Sequence, residues 1–243
     1  DDFGVAEEVL RYSFSGTDGG FIVDLRFREN RLSRYQLGDV TGPPQLIQPP
    51  AGGDLEVAKA ALNRYSAYSG GAYLSEMCSL LDKVETTDNT TVASGDLKLQ
   101  ITNYAGKIEY LFMHSQGGVD FSAKSLRITF DDGALVSLTD GYFLFTVANT
   151  NVNFDSAQAQ KIAKNRVQEM TWVINNTEVG GFVVQRTVSV EMIPHPRGNS
   201  VALVPYWYVV FELDQTGVGG FNRASVGVWA DTGEVADVQL LRA

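Results

Sequence analysis

Two histidines, a single cysteine and a few clustered carboxylates are the side chains of this chain that could do chemistry. His114 closes an apolar run, and His195 lies in Ile193-Pro194-His195-Pro196-Arg197-Gly198, a loop by its prolines. No H-x-x-x-H or H-E-x-x-H spacing and no second cysteine completes a metal site, so both read as turn histidines. Cys78, in Tyr73-Leu74-Ser75-Glu76-Met77-Cys78-Ser79-Leu80-Leu81, has the apolar setting of a structural thiol and no nearby histidine to activate it. Carboxylates gather at Asp1-Asp2, Glu7-Glu8, Asp82 to Asp88 and Asp131-Asp132. Acid/base hydrolysis needs two of them facing one another across a cleft, which spacing alone does not establish. Asp131-Asp132-Gly133 lacks the repeated ligands of a calcium loop and reads as a hairpin turn. Gly217-Val218-Gly219-Gly220 lacks the lysine of a phosphate loop and reads as a hairpin tip. No catalytic residue, metal site or cofactor is expected, and the chain is expected not to be an enzyme.

Aromatic side chains are better candidates for recognition. Tyr206, Trp207, Tyr208 and Phe211, with Tyr104, Tyr110 and Phe112 in the first half, could fill a core or form a platform for a partner. Trp207 and Tyr208 are neighbours on a strand and must point to opposite faces, which predicts one inward and one outward ring. Binding through this strand would combine strand addition with an aromatic anchor.

The elements that must position these residues follow from periodicity. Gly20 to Arg28 alternates from Ile22 onward, breaks at Glu29-Asn30 and resumes from Leu32 to Leu37, a hairpin pattern. Four of the seven prolines then fall between residues 42 and 53, a linker pattern. Asp54 is the expected N-cap of a helix carrying Val57, Ala58, Ala61, Leu62 and Tyr65 on one face. From Leu97 the period is two, with strands ending at Asn103 to Gly106, Gln116 to Gly118 and Asp131 to Gly133. The order then recurs: Asp155 caps a helix with Ala159, Ile162, Ala163 and Val167 on one face. Strands follow at Gly181 to Met192, Ala202 to Leu213 and Ala224 to Ala230. Local matches repeat at an offset near 100 residues, Ala61-Leu62-Asn63-Arg64 against Ala163-Lys164-Asn165-Arg166 among them, which predicts an internal duplication. The expected class is α+β. Two tandem modules, each with one helix packed on an antiparallel β-sheet, follow an N-terminal β-hairpin. The expected boundaries are 1–41 for the hairpin segment, 42–53 for the linker, and 54–150 and 151–243 for the modules. A hairpin alone is marginal in water, so this one should join the first module's sheet or that of another molecule.

The second module resembles the PepSY domain. The resemblance rests on its Ala-x-x-x-Ala helix, the strand Val204-Pro205-Tyr206-Trp207-Tyr208-Val209-Val210-Phe211, and the ending Val226-Gly227-Val228-Trp229-Ala230-Asp231-Thr232-Gly233-Glu234-Val235. Here Asp231 precedes Thr232 directly, a small departure from the family's turn. The first module matches in outline, with Tyr110 where the second has Trp207 and Asp131-Asp132-Gly133 for the turn. Gly133 and Gly233 are expected to take positive φ, and Asp131 or Asp231 to accept a backbone N–H within the turn. The resemblance implies a secreted or surface protein that binds another polypeptide, a protease or an envelope protein, as inhibitor, propeptide-like chaperone or binder. Two alternatives stay open: a self-assembling structural subunit using strand addition between copies, and a carboxylate-based hydrolase.

Composition limits the partner. Nineteen Lys and Arg against 29 Asp and Glu give a net charge of -10, which argues against a nucleic-acid or anionic-membrane partner. No apolar run reaches the length of a membrane span. An extracellular or cell-surface location is expected from the start at Asp1 without a methionine and from two sequons, at Asn89 and Asn175, which are candidate glycosylation sites.

Overall fold

The structure, a computed structural model, describes residues 6–42, 53–198, 201–214 and 220–242. The Pro-rich stretch 43–52 and the glycine-rich tip at 217–219 lie outside the described residues. The chain divides into two compact units, one of residues 1–116 and 121–145, the other of 117–120 and 146–243.

The first unit opens with three long strands, β1 (Glu7–Gly16), β2 (Gly19–Arg28) and β3 (Arg31–Thr41). Two helices follow, α1 (Asp54–Ser69) and α2 (Ala72–Leu81), and then β4 (Thr90–Ser94), β5 (Leu97–Tyr104), β6 (Lys107–Gln116), β7 (Val119–Asp131) and β8 (Ala134–Asp140). All eight strands form one sheet in the order β1-β2-β3-β8-β7-β6-β5-β4. The expected hairpin is therefore the second half of a three-stranded meander, and its turn is made by Glu29 and Asn30, both at positive φ as a tight hairpin requires. It joins the sheet where Arg34, Tyr35 and Gln36 of β3 pair with Thr139, Leu138 and Ser137 of β8. The helices cover one face of the sheet. Leu62, Leu74, Met77, Leu99, Ile101, Phe112 and Ile128 are almost fully removed from water there.

Two expectations are corrected here. The unit carries two helices, because Ala72 to Leu81 repeats Leu74, Met77, Leu80 and Leu81 at helical spacing on the buried face. Asp54 is also not the N-cap. Gly53 occupies that position at φ 80° with no side-chain cap, and Asp54 falls in the first turn, where its charge suits the helix dipole.

The second unit has β9 (Thr146–Val147), α3 (Ser156–Glu169), the hairpin β10 (Thr171–Ile174) and β11 (Thr177–Gly180), β12 (Val184–Met192), β13 (His195–Pro196), β14 (Ala202–Val204), β15 (Tyr206–Leu213), β16 (Phe221–Trp229) and β17 (Val235–Arg242). Its main sheet is β12-β15-β16-β17, all antiparallel. Asp155 caps α3 through a complete capping box with Gln158. Ala159, Ala163 and Val167 press the helix onto Val209, Phe211, Val226 and Val228 of the sheet. The expected strand from Ala202 to Leu213 is two strands separated at Pro205, which has no N–H to offer a ladder. Asn175 and Asn176, both at positive φ, form the turn of the β10–β11 hairpin. Both units are helices on mainly antiparallel sheet, the α+β class.

Candidate binding surfaces

In the second unit the aromatic strand is internal. β15 is bonded to β12 on one side and β16 on the other, so it has no free edge for a partner strand. Tyr206 is buried in a small cluster with Val204 and Trp229, and Tyr208 packs half-buried against it. The Tyr206 hydroxyl donates to Asp237 Oδ2 at 2.5 Å, and burial, then the Asp237 carboxylate, raises its pKa well above the ordinary phenol value. Trp207 lies on the opposite face, against the α3 cluster, and donates its Nε1–H to the Phe154 carbonyl at 2.7 Å. Tyr206, Trp207 and Tyr208 are thus held by their own unit. In the first half, Tyr110 and Phe112 are buried while Tyr104 stands exposed beside a turn.

The two turns differ in what holds them. Gly133 and Gly233 have φ of 78° and 74°, and Asp132 is also left-handed. Asp231 is locked from outside its turn: Arg197 and Asn149 donate to its carboxylate, Asn153 donates to its carbonyl, and the Arg197 guanidinium lies 4.4 Å over Trp229. Burial alone would raise the Asp231 pKa, but the Arg197 and Asn149 hydrogen bonds outweigh it and hold the carboxyl below its usual range. Asp131 is exposed at the end of β7. Asn89 and Asn175 are both exposed, with Asn89 accepting from the Asn103 N–H.

The residues first considered for catalysis stay apart. His114 is half-buried beside Gln116, and His195 is exposed beside Tyr206. Cys78 packs on the α2 face of the core, where burial and then Asp82 raise its pKa and disfavour the thiolate. Among the described residues no group of three metal-ligating side chains comes together, and no helix is long and apolar enough to cross a membrane.

Asp140 was not singled out by the sequence, yet it is the most enclosed carboxylate in the first unit, at 1% exposure. Tyr65 and Tyr73 place their hydroxyls 2.7 and 2.5 Å from its Oδ2, and the Tyr142 N–H donates to its Oδ1 at 2.9 Å. Burial raises its pKa, opposed by those hydrogen bonds and by the charge of Arg31. Tyr65 also lies 2.9 Å from the Leu32 carbonyl. Its one hydroxyl proton is shared between that carbonyl and the Asp140 carboxyl. Nearby Lys124 donates to the Tyr142 and Phe145 carbonyls.

The most exposed apolar surface was not expected from the sequence either. β1 is the outer strand of the eight-stranded sheet, and Leu10, Tyr12 and Phe14 on one of its faces are 38%, 48% and 52% exposed. Their cross-strand partners Leu25, Val23 and Phe21 continue the apolar face across β2, with Phe14 and Phe21 stacked at 4.6 Å. Between β2, β3 and α1 this face deepens into a cavity of about 600 Å³ lined by Leu25, Phe27, Tyr35, Ala61 and Tyr68 among others. The other face of the meander is charged, with Arg11 paired to Asp24 and Arg26 and Arg28 sharing Glu7.

No protein-family model matches the chain, and no curated protein does. Among solved structures it aligns with the Bacillus megaterium YpeB C-terminal domain, over 99% of this chain and 91% of that one, at 11% identity and a TM-score of 0.35. That resemblance identifies neither a family nor an activity.

Proposed function

We propose that this chain is a non-catalytic, PepSY-like polypeptide-binding protein acting at the cell surface or outside it. Its partner, a protease or an envelope protein, would contribute an extended segment that pairs with β1. The observation that carries this reading is the outer edge of β1, unpaired among the described residues, together with the exposed Leu10, Tyr12 and Phe14 on one of its faces. A long edge strand of this kind offers a row of unpaired N–H and C=O groups, and natural proteins rarely leave one both apolar and uncovered. Strand addition supplies affinity through the main chain, and the alternate side chains supply selectivity. The adjoining cavity gives an apolar anchor residue somewhere to go.

The test is capture from the native secretome by the full chain, by Tyr12→Lys and by Phe14→Lys, with cross-links mapped by mass spectrometry. Cross-links on β1 that disappear with both variants support the reading. A partner retained by both, or one cross-linked only elsewhere, overturns it. Open polymers in light scattering that the same substitutions dissolve would replace it with the self-assembling alternative.

A further inference from the structure

The polar face of the same sheet carries an arrangement that ordinary strand pairing disfavours. Arg26 of β2 stands directly opposite Arg34 of β3, Arg34 opposite Thr139 of β8, and Thr139 opposite Arg127 of β7. Residues in register share a face, so three guanidiniums and a hydroxyl form one row across four neighbouring strands. Like charges directly opposite one another destabilise a sheet. This row lines a cavity of about 350 Å³ that Arg28, Ser33, Ser122 and Ser125 also line.

The carboxylates present do not balance it. Glu7 is the acid at the cavity with a pairing role, and Arg26 and Arg28 already share it. Asp140 contributes to the wall but is engaged by Tyr65 and Tyr73. Asp24 is held by Arg11, and Glu109 reaches Arg127 at 3.6 Å from β6. Arg34 makes no ion pair among the described residues; its guanidinium reaches Gln36 at 3.5 Å, and its charge acts at longer range on Asp24, which Arg11 already holds. A concentration of arginine on a chain of net charge -10 is an electrostatic exception that a bound anion would relieve.

We propose that this cavity is a binding site for a phosphate-ester group. Guanidiniums arriving from separate strands can each bond a different oxygen of one tetrahedral oxyanion, whereas a carboxylate is satisfied by a single fork. Ser33 and Ser125 spend their hydroxyl protons on the Arg26 and Ser122 carbonyls, so the neutral donors for the remaining oxygen are the hydroxyls of Ser122 and Thr139. The site lies on the face of the meander opposite Leu10, Tyr12 and Phe14, so it stands independently of strand addition at β1.

The experiment is calorimetric titration of the full chain with inorganic phosphate and glycerol 3-phosphate. Acetate at matched ionic strength is the control, and sedimentation with phosphatidylglycerol or phosphatidylcholine vesicles runs beside it. Arg34→Gln and Arg127→Gln should each weaken phosphate about tenfold or more, as expected for loss of a charge-assisted hydrogen bond. Lys164→Gln on α3 should change nothing. Arg34→Gln should also raise the unfolding midpoint of the first unit by about 1 °C without phosphate, because it removes the like-charge pair. Glycerol 3-phosphate and phosphatidylglycerol arms that both bind, or either one alone, name the source of the phosphate. The proposal is overturned if phosphate binds no better than acetate, or if both arginine variants bind as wild type.

Discussion

The meander β1–β3 and the strand β15 both carry aromatic and branched apolar residues two apart along a strand, and those residues end in opposite states. Phe14, Tyr12 and Leu10 stand in water on β1, whereas Tyr206 and Phe211 of β15 are 5% and 0% exposed. The difference lies in the neighbours. β15 has a strand on each side, α3 over one face, and Trp229 and Val204 over the other. Among the described residues β1 has one neighbouring strand, and α1 lies over β2, β3 and β8, as the cavity between them records. An aromatic at period two therefore becomes core or surface according to how many elements reach it, which is a tertiary property. Free edges and open apolar faces are where recognition is cheapest to build, so the two regions divide into a scaffold and a surface.

The sharpest way to break this contrast is to truncate one ring in each region. Phe211→Ala empties a fully buried position between α3 and the sheet, and is expected to cost about 3–5 kcal/mol. The chain's three tryptophans, Trp172, Trp207 and Trp229, all lie in the second unit, so denaturant unfolding followed by tryptophan fluorescence reads that unit alone. A loss below 1 kcal/mol would mean that β15 is no better packed than β1.

A second test adds an atom. Tyr206 lies across Gly227 of the neighbouring strand, and a Cβ at that position would fall inside its phenol ring, with the nearest atoms 1.6 to 2.5 Å away. The ring is fixed by Asp237 and packed against Trp229, so it cannot swing aside freely. Gly227→Ala should cost about 1–3 kcal/mol by overpacking, read by the same fluorescence. Tyr206→Phe should cost less, about 1 kcal/mol for the lost hydrogen bond.

How much of this was legible in the sequence depended on whether the signal was local. The helix after Asp155 was readable to its cap, because the Asp-x-x-Gln spacing is itself the capping box. The β2–β3 hairpin was readable because Glu29-Asn30 interrupts two alternating runs. α2 escaped because its Leu-x-x-Met-x-x-Leu-Leu pattern is short and follows two glycines that read as a break; those glycines separate two helices. The β10–β11 hairpin has its signal in Asn175-Asn176, a pair that serves equally as the start of a sequon and as a left-handed turn. Asp140 and the row of Arg26, Arg34 and Arg127 had no local signal, since their partners are about 75 and 100 residues away in the chain. Sequence named Tyr206, Trp207 and Tyr208 as binding residues from composition. Exposure of Leu10, Tyr12 and Phe14 depended on strand order, which no window of residues contains.

The first unit has an internal test of its own enclosed group. Burial raises the Asp140 pKa against the opposing tyrosines, the Tyr142 N–H and the Arg31 charge, with Lys124 the other cation facing it. An acid whose folded pKa lies above its unfolded value favours folding at low pH. The stability it contributes is complete below the unfolded pKa of about 3.9 and is lost as pH rises through the folded value, by at most about 1.4 kcal/mol per pH unit. Asp140→Asn should flatten that part of the pH profile while leaving the Tyr73 hydrogen bond possible. Hydrogen exchange of β8 amides across pH 4 to 8, compared between the two proteins, measures it. Equal slopes would show that Asp140 is ionised in the fold and stabilised by its hydroxyl partners.

The smallest expected effect on stability is the one that bears most on recognition. Tyr12→Ser replaces a ring that is half in water on a strand with one neighbour, so little burial is lost, and the expected change is about 0.5 kcal/mol. Phe14→Ser should lose somewhat more, about 1 kcal/mol, because it also breaks the stack on Phe21. If β1 is a docking strand, these two variants should stay folded, keep the exchange protection of β3 and β8, and lose capture of the partner. If β1 instead packs as an ordinary core strand, the same substitutions should unfold the meander and expose β3 amides. Exchange protection and partner capture therefore move separately in the first case and together in the second. Measuring both on one pair of variants decides whether the exposed face of β1 is a surface for another chain or a weak part of the first unit's own packing.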